Sequence, residues 1–174
     1  MQKLNCPRIY FALKFKHTVN IKYYTFESGF QNSSYIFFKL IDLGYLVIAS
    51  GGGGVPVILE KEGLKGVFAV VDKDLAGERM AEAIEANEFY IFTDIDKVKL
   101  NFHKPNEKSI DRMSLSEARE YLEEGHFLPG SMLTKVKACI RFLEGGSGKK
   151  AFISKLSKAK DVLYGKGGTE IYKD

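Results

Sequence analysis

Cysteine is scarce in this sequence: among 174 residues only Cys6 and Cys139 are cysteines, and they lie 133 positions apart. Neither has the spacing of a metal or redox motif, so a disulfide scaffold and a zinc module are excluded as the basis of the fold. Long apolar runs are lacking too, and none reaches the ~18 residues that a transmembrane helix requires. Residues Met1 to His17 have neither a continuous apolar stretch nor a small-residue cleavage site, so no secretory leader is expected. The histidines, His17, His103 and His126, share no metal-ligand spacing, and no Ser–His–Asp or Cys–His set can be assembled from the order of residues. There is no internal repeat and no low-complexity tract. What is present is ordinary for a soluble globular chain: 45% apolar and 28% charged residues, in a length that suits one well-cored domain. Cys139 falls on an apolar helical stripe and is expected as a buried thiol, which suits a reducing cytoplasm.

The net charge of +4 is unevenly placed. Residues 1–39 hold Lys3, Arg8, Lys14, Lys16, Lys22 and Lys39 against a single acid, Glu27, so that the remainder of the chain is close to neutral. The same stretch carries 10 of the 22 Phe and Tyr, and such a step in composition marks a boundary. Residues 1–35 are therefore set apart as an atypical basic and aromatic segment, and 36–174 as the folded domain. A basic aromatic arm can stack on single-stranded nucleic acid. Without an ordered motif or a clear period it is read instead as a leader or remnant, and no nucleic-acid or membrane partner is expected.

From Tyr35 the signals become regular. A short helix to Leu43 is closed by Gly44, a favoured residue just past a helix end. Tyr45 to Ala49 is a β-branched apolar run expected as a buried parallel strand, ending in Ser50 and four glycines. A second apolar run, Val55 to Leu59, and a third strand, Gly66 to Val71, follow. A helix from Asp72 to about Ala86 presents Leu75, Ala76, Met80, Ala83 and Ile84. Phe89 to Thr93 is a strand, and 94–113 a long polar loop. Ser114 and Glu117 form a capping box for a helix over 115–124 that Gly125 ends. Ser131 can cap a helix with Met132, Val136, Cys139, Ile140 and Leu143 on one face. Ala151 to Ser154, Leu156 to Tyr164 and Thr169 to Tyr172 read as strand, helix and strand. Strands alternating with helices predict an α/β fold, a mostly parallel sheet with helices on both faces.

In open α/β sheets the ligand sits beyond the carboxyl ends of the strands, where this sequence places its unusual residues. Gly51, Gly52, Gly53 and Gly54 are costly in succession unless backbone must approach something closely, and their amides can form an anion-binding concavity. The two standard phosphate motifs do not fit: the position five before Gly148-Lys149 is Leu143, and the four glycines lead into a strand rather than a helix. Lys73 and Lys135 each fall at or just inside a predicted helix N-terminus, where the dipole disfavours a cation. An anion held between ammonium and helix amides removes that conflict. Asp72 and Asp74 are helix caps in part, and Asp74 can orient the lysines. His126 is expected as a loop residue satisfied by backbone. With lysines, a glycine cradle and no nucleophile, the chemistry implied is direct phosphoryl transfer.

Val47-Ile-Ala-Ser-Gly-Gly-Gly-Gly-Val-Pro-Val57 resembles the corresponding segment of the carbamate kinases, in the amino-acid kinase superfamily. The resemblance continues through Val71-Asp-Lys-Asp-Leu-Ala-Gly-Glu78, Phe92-Thr-Asp-Ile-Asp-Lys97, Leu100-Asn-Phe, Glu124-Gly-His-Phe-Leu-Pro-Gly-Ser-Met132 and Gly168-Thr-Glu-Ile171. It covers roughly 36–174 and implies an ATP-binding C-terminal lobe of an enzyme interconverting carbamoyl phosphate and ADP with ATP and carbamate, often at the end of arginine fermentation. Under it, Gly51 to Gly54 lie along the phosphates, Lys73 and Lys135 neutralise them, and Asp74 organises the lysines. Ser50, Thr93, Asp94 and Met132 complete the nucleotide side. Mg²⁺ is expected to accompany the ATP or ADP phosphates rather than to sit in a protein cage.

The sequence departs from the family at Thr134, where proline is usual, and in the N-terminal half. The family's opening strand with Gly-Gly-Asn and its second glycine loop, which hold the acceptor, have no match in 1–35. The expectation is a truncated nucleotide lobe without turnover by itself, its uncovered apolar surface favouring self-association as a homo-oligomer. A uridylate or acetylglutamate kinase, and a non-catalytic nucleotide-binding or assembly module paired with another chain, stand as alternatives.

Overall fold

In the computed structural model, the described residues are 37–48, 57–61, 63–66, 68–70, 72–127 and 131–174. Helix α1 covers 37–42 and ends as its sequence directs. Gly44 adopts φ +86°, which a side chain disfavours, and its amide closes on the carbonyl of Ile41 at 2.9 Å. Phe37, Phe38 and Ile41 pack against the main core.

The central sheet has four strands in the order β3-β7-β8-β6: β3 Glu88–Thr93, β6 Arg112–Ser114, β7 Lys150–Lys155 and β8 Thr169–Tyr172. β3 pairs with β7 in parallel from Glu88↔Lys150 to Thr93↔Lys155, β6 pairs with β8 in parallel, and β7 with β8 antiparallel. Two of the three pairings are parallel, as expected. Helices α2 (Lys73–Ala83), α3 (Leu115–Glu123) and α4 (Ser131–Glu144) enclose a core with Phe89, Ile91, Ala151, Ile153 and Ile171. The opposite sheet face stacks Tyr90 on Phe152, with ring centroids 4.6 Å apart, beneath Val162 of the short helix α5 (Ala159–Leu163). Alternation along β3 and β7 thus sends odd and even positions to two different cores.

Three local expectations are corrected. Tyr45 to Ile48 are irregular rather than a buried strand, with Tyr45, Leu46 and Ile48 exposed, and Phe68 to Val70 are likewise irregular and exposed. The reason is pairing: Val57–Glu60 (β1) and Gly63–Gly66 (β2) fold back on each other as an antiparallel hairpin, so Gly66 ends a strand instead of opening one. Of the apolar face expected for α2, Ile84 at its C-cap is buried and Leu75 and Met80 pack partly buried against the core; what the expectation lacked is that Asp74 and Glu78 are buried beside Ala81, because α2 packs against α4 through a face that also carries charge. Finally, 94–113 is pinned rather than loose. β4 (Lys99–Leu100) pairs with β5 (Lys108–Ser109), Lys99 meets Glu107 at 2.6 Å, and Lys97 pairs with Asp111. The buried Thr169 hydroxyl accepts from Val98 N at 2.8 Å and donates to Ile110 O at 2.5 Å, tying both ends of this segment to β8.

Ser131, expected to cap α4, is instead its first helical residue, whereas the cap of α3 follows its sequence signal. Ser114 and Glu117 form the full capping box of α3, and Gly125 takes φ +73°. Among the described residues no helix is long and apolar enough to cross a membrane.

Candidate phosphate-binding site

Topology brings the charged residues to one rim. α2 leads into β3 and α4 leads into β7 through short connections, so each helix runs back along the strand it precedes. Because β3 and β7 are parallel, the N-termini of both helices and the C-termini of both strands share one edge of the domain. Lys73 and Asp74 open α2, Lys135 lies in the second turn of α4, Thr93 and Asp94 end β3, and Lys155 ends β7.

Asp74 is the hub of this rim. Its Oδ1 accepts from Lys73 Nζ at 2.7 Å, and its Oδ2 accepts from Lys135 Nζ at 2.6 Å. The helix start is fixed independently, since the Asp72 carboxylate caps α2 by accepting from the amides of Asp74 at 2.8 Å and Leu75 at 3.2 Å. Asp74 and Lys135 are 3% and 4% exposed, whereas the Lys73 side chain is 36% exposed. Two ammonium groups on one carboxylate leave an excess positive charge beside a helix N-terminus. Burying such a charge is expensive unless a second anion arrives, and the donors left over on the two ammoniums suit a phosphate oxygen.

The neighbouring residues are organised by the same rim. Thr93 Oγ1 donates to Asp94 Oδ1 at 2.9 Å, and that bond, reinforced by the charges of Lys135 and Lys155, holds the exposed Asp94 carboxyl below its ordinary range. Met132 is partly buried against the core. Ser50 and Gly51 to Gly54 lie outside the described residues. His126 is satisfied by side chains rather than by the backbone expected for it. Its Nδ1 faces Asn101 Oδ1 at 3.1 Å and its Nε2 faces Glu124 Oε2 at 2.8 Å, which joins two of the quoted sequence motifs.

Sequence reasoning passed over Lys155 and a second buried charge on α2. Glu78 sits one turn after Asp74, is buried, and faces Arg141 Nε of α4 at 3.4 Å, while its Oε2 has no hydrogen-bond donor. Burial pushes its carboxyl above the ordinary range, against the opposing pull of Arg141. The i, i+4 spacing of Asp74 and Glu78 was the available signal. The Cys139 thiol, fully buried one turn along α4 from Lys135, is raised by burial and then by the Asp74 charge. Among the described residues no group of three or more His, Cys, Asp or Glu is gathered as a metal cage.

The profile of the Amino acid kinase family matches residues 10–154. This chain belongs to the amino acid kinase family. Within it, the chain is 47% identical over 134 residues to a carbamate kinase of Clostridium perfringens, covering 77% of this chain and 43% of that protein. It is 50% identical over 135 residues to a carbamate kinase of Thermococcus kodakarensis, covering 78% of this chain and 42% of that one. Among solved structures, the carbamate kinase from Giardia lamblia bound to AMP-PNP superposes with a TM-score of 0.74 at 40% identity, over 82% of this chain and 50% of that chain. The family fold is therefore shared, and the chain spans less than half the length of these curated relatives.

Proposed function

We propose that this chain is the nucleotide-binding part of a carbamate-kinase-like phosphotransferase, with ATP or ADP held at the rim of β3 and β7. The observation that carries the reading is Asp74 bridging Lys73 and Lys135 at 2.7 and 2.6 Å, two cations gathered on one buried carboxylate where the helix N-termini meet. Lys73 and Lys135 would neutralise the nucleotide phosphates, and Asp74 would position both ammoniums. Thr93, Asp94 and Met132 would border the nucleotide, with Ser50 and Gly51 to Gly54 as the backbone cradle. Mg²⁺, bound to the phosphates, would supply further neutralisation of their charge. The similar Giardia lamblia protein is described with AMP-PNP bound, which supports a nucleotide at the corresponding place.

Transfer between ATP and carbamate needs donor and acceptor in line, and orientation alone is worth roughly 7–11 kcal/mol of the barrier. We assign the carbamate or carbamoyl phosphate site to the part of the family fold that lies beyond the matched 43%. Turnover is accordingly expected only when that part is present. A place in arginine breakdown and a cytoplasmic setting, which suits the buried Cys139 thiol, belong to the same reading.

Isothermal titration with Mg-ADP tests the assignment. Lys135→Ala should weaken binding by about 1.5–3 kcal/mol, the range for a hydrogen bond to a charged group. Lys149→Ala, at an exposed position away from the rim, should leave it unchanged. Equal effects would overturn the site, and no heat at millimolar nucleotide would overturn the function.

A further inference from the structure

β7 ends on a lysine that the contacts of the rim leave over. Lys155 is the register partner of Thr93 across the parallel pair of β3 and β7. Ala151 and Ile153 belong to the main core, and side chains alternate along a strand, so Lys155 continues their row on the face covered by α2 and α4. Lys135 stands on that same face. Lys155 is exposed, and among the described residues its ammonium makes no hydrogen bond and no ion pair. Other lysines of β7 and the turn after it are committed: Lys158 to Asp96 at 2.7 Å, and Lys150 to Glu170 at 3.2 Å. Since α4 opens at this rim, Lys155 is a third cation placed where a helix dipole favours an anion.

Charge balance gives this uncommitted ammonium a task. Asp72 is turned to the first amides of α2. Lys73 and Lys135 are matched, charge for charge, by Asp74 and Asp94. The Asp94 carboxyl is kept ionised first by the Thr93 hydroxyl and then by the charges of Lys135 and Lys155, so both ammoniums act on it. Without Lys155 these groups would present no net charge to an incoming polyanion. With it, they are net positive, and its three donors are unused.

We propose that Lys155 is a further nucleotide-binding residue of this site, its ammonium donating to a phosphate oxygen of ATP or ADP beside those held by Lys73 and Lys135. The inference rests on the nucleotide reading and adds to it the residue that makes the rim attractive to a polyphosphate. Lys73 and Lys135 are fixed by Asp74 before any ligand arrives, whereas Lys155 is free to close on the ligand from the end of β7.

The test is isothermal titration of the purified chain with Mg-ADP across a series at this one position. Lys155→Met should weaken binding by about three- to tenfold, a charged hydrogen bond discounted for exposure. Lys155→Glu should weaken it further, and Lys155→Arg should keep it within about twofold of wild type. The loss should shrink at high salt, because an exposed charge is screened. Lys158→Met removes the same charge from the lysine bound to Asp96 and should change affinity by less than about twofold. Since Lys155 faces solvent, its variants should keep the wild-type urea midpoint, which separates a lost contact from a lost fold. The same titrations on an Asp94→Asn background exclude an effect passed through that carboxylate, and the Lys155→Met loss should persist there. Affinity indifferent to the charge at 155, an equal loss in Lys158→Met, or a loss that vanishes with Asp94→Asn would each overturn the proposal. If Lys135→Ala weakens binding and Lys155→Met does not, this inference alone fails; if the wild-type chain gives no heat, the nucleotide reading fails with it.

Discussion

Replacing Asp74 by asparagine removes the charge on which the rim depends while leaving its shape. Lys73 is partly exposed and can turn into water, so its loss of a partner costs little. Lys135 cannot, because its side chain is 5% exposed and its ammonium is held 2.6 Å from the carboxylate. Removing one partner of a buried pair leaves an uncompensated charge and costs about 3–5 kcal/mol. Lys135→Met removes the cation instead, fills similar volume with a flexible apolar chain, and leaves Asp74 its bond to Lys73. It should cost less, about 1–3 kcal/mol. In the double variant neither charge is present. It should be less destabilised than the sum of the singles, with a coupling of at least about 1 kcal/mol. Urea unfolding of the four proteins at neutral pH gives these values directly. An Asp74→Asn cost below about 1 kcal/mol, or strict additivity, would refute the view that the buried pair is an energetic unit.

Further predictions follow from other contacts. Thr169→Val keeps the shape of a fully buried side chain but orphans Val98 N and Ile110 O; it should cost about 1–3 kcal/mol for each group by urea unfolding, with Thr169→Ser recovering most of it. An added Cβ at Gly148 would stand 2.7 Å from Phe142 Cε1 and 2.8 Å from Phe142 O, whereas Gly66 has open space around it. Gly148→Ala should therefore lose about 1–3 kcal/mol, and Gly66→Ala almost nothing. Glu78 titrates above the ordinary carboxylate range because burial disfavours its charged form. The folded state then holds this proton more tightly than the unfolded one, so stability falls as pH rises through the window above the ordinary value. Glu78→Gln should flatten that slope in unfolding measurements across mildly acidic pH, and an unchanged slope would contradict the assignment.

Much of the architecture is legible in the residues themselves. Phe89 to Thr93, Ala151 to Ser154 and Thr169 to Tyr172 are strands within a residue of their sequence limits, and Ser114 with Glu117 announces α3 through backbone amides that only a side-chain oxygen can reach. Lys73, Asp74 and Lys135 were legible as a set, because cations at helix starts conflict with the dipole and ask for an anion. The failures share a cause. The strand pattern of Tyr45 to Ala49 and of Gly66 to Val71 states a preference for burial, but a strand forms only where another strand offers its edge. Likewise, the apolar count on α2 gave no sign of the buried charges that pack on α4, because a buried carboxylate is stable only opposite a cation from distant sequence. Asp74 and Glu78 meet Lys135 and Arg141 across more than 60 residues, and no local period reports that. His126 shows the same limit, since its partner Asn101 lies in another motif.

The claim that Lys73, Asp74 and Lys135 form a phosphate site is tested most directly by phosphorus NMR of Mg-ADP titrated with the purified chain. The account predicts that the phosphate resonances shift or broaden in a saturable manner with the wild-type chain and with Lys149→Ala, and that Lys135→Met moves the titration to nucleotide concentrations at least about tenfold higher. Phosphate resonances that stay unmoved at millimolar nucleotide, or that respond equally to the Lys135→Met chain, would contradict it.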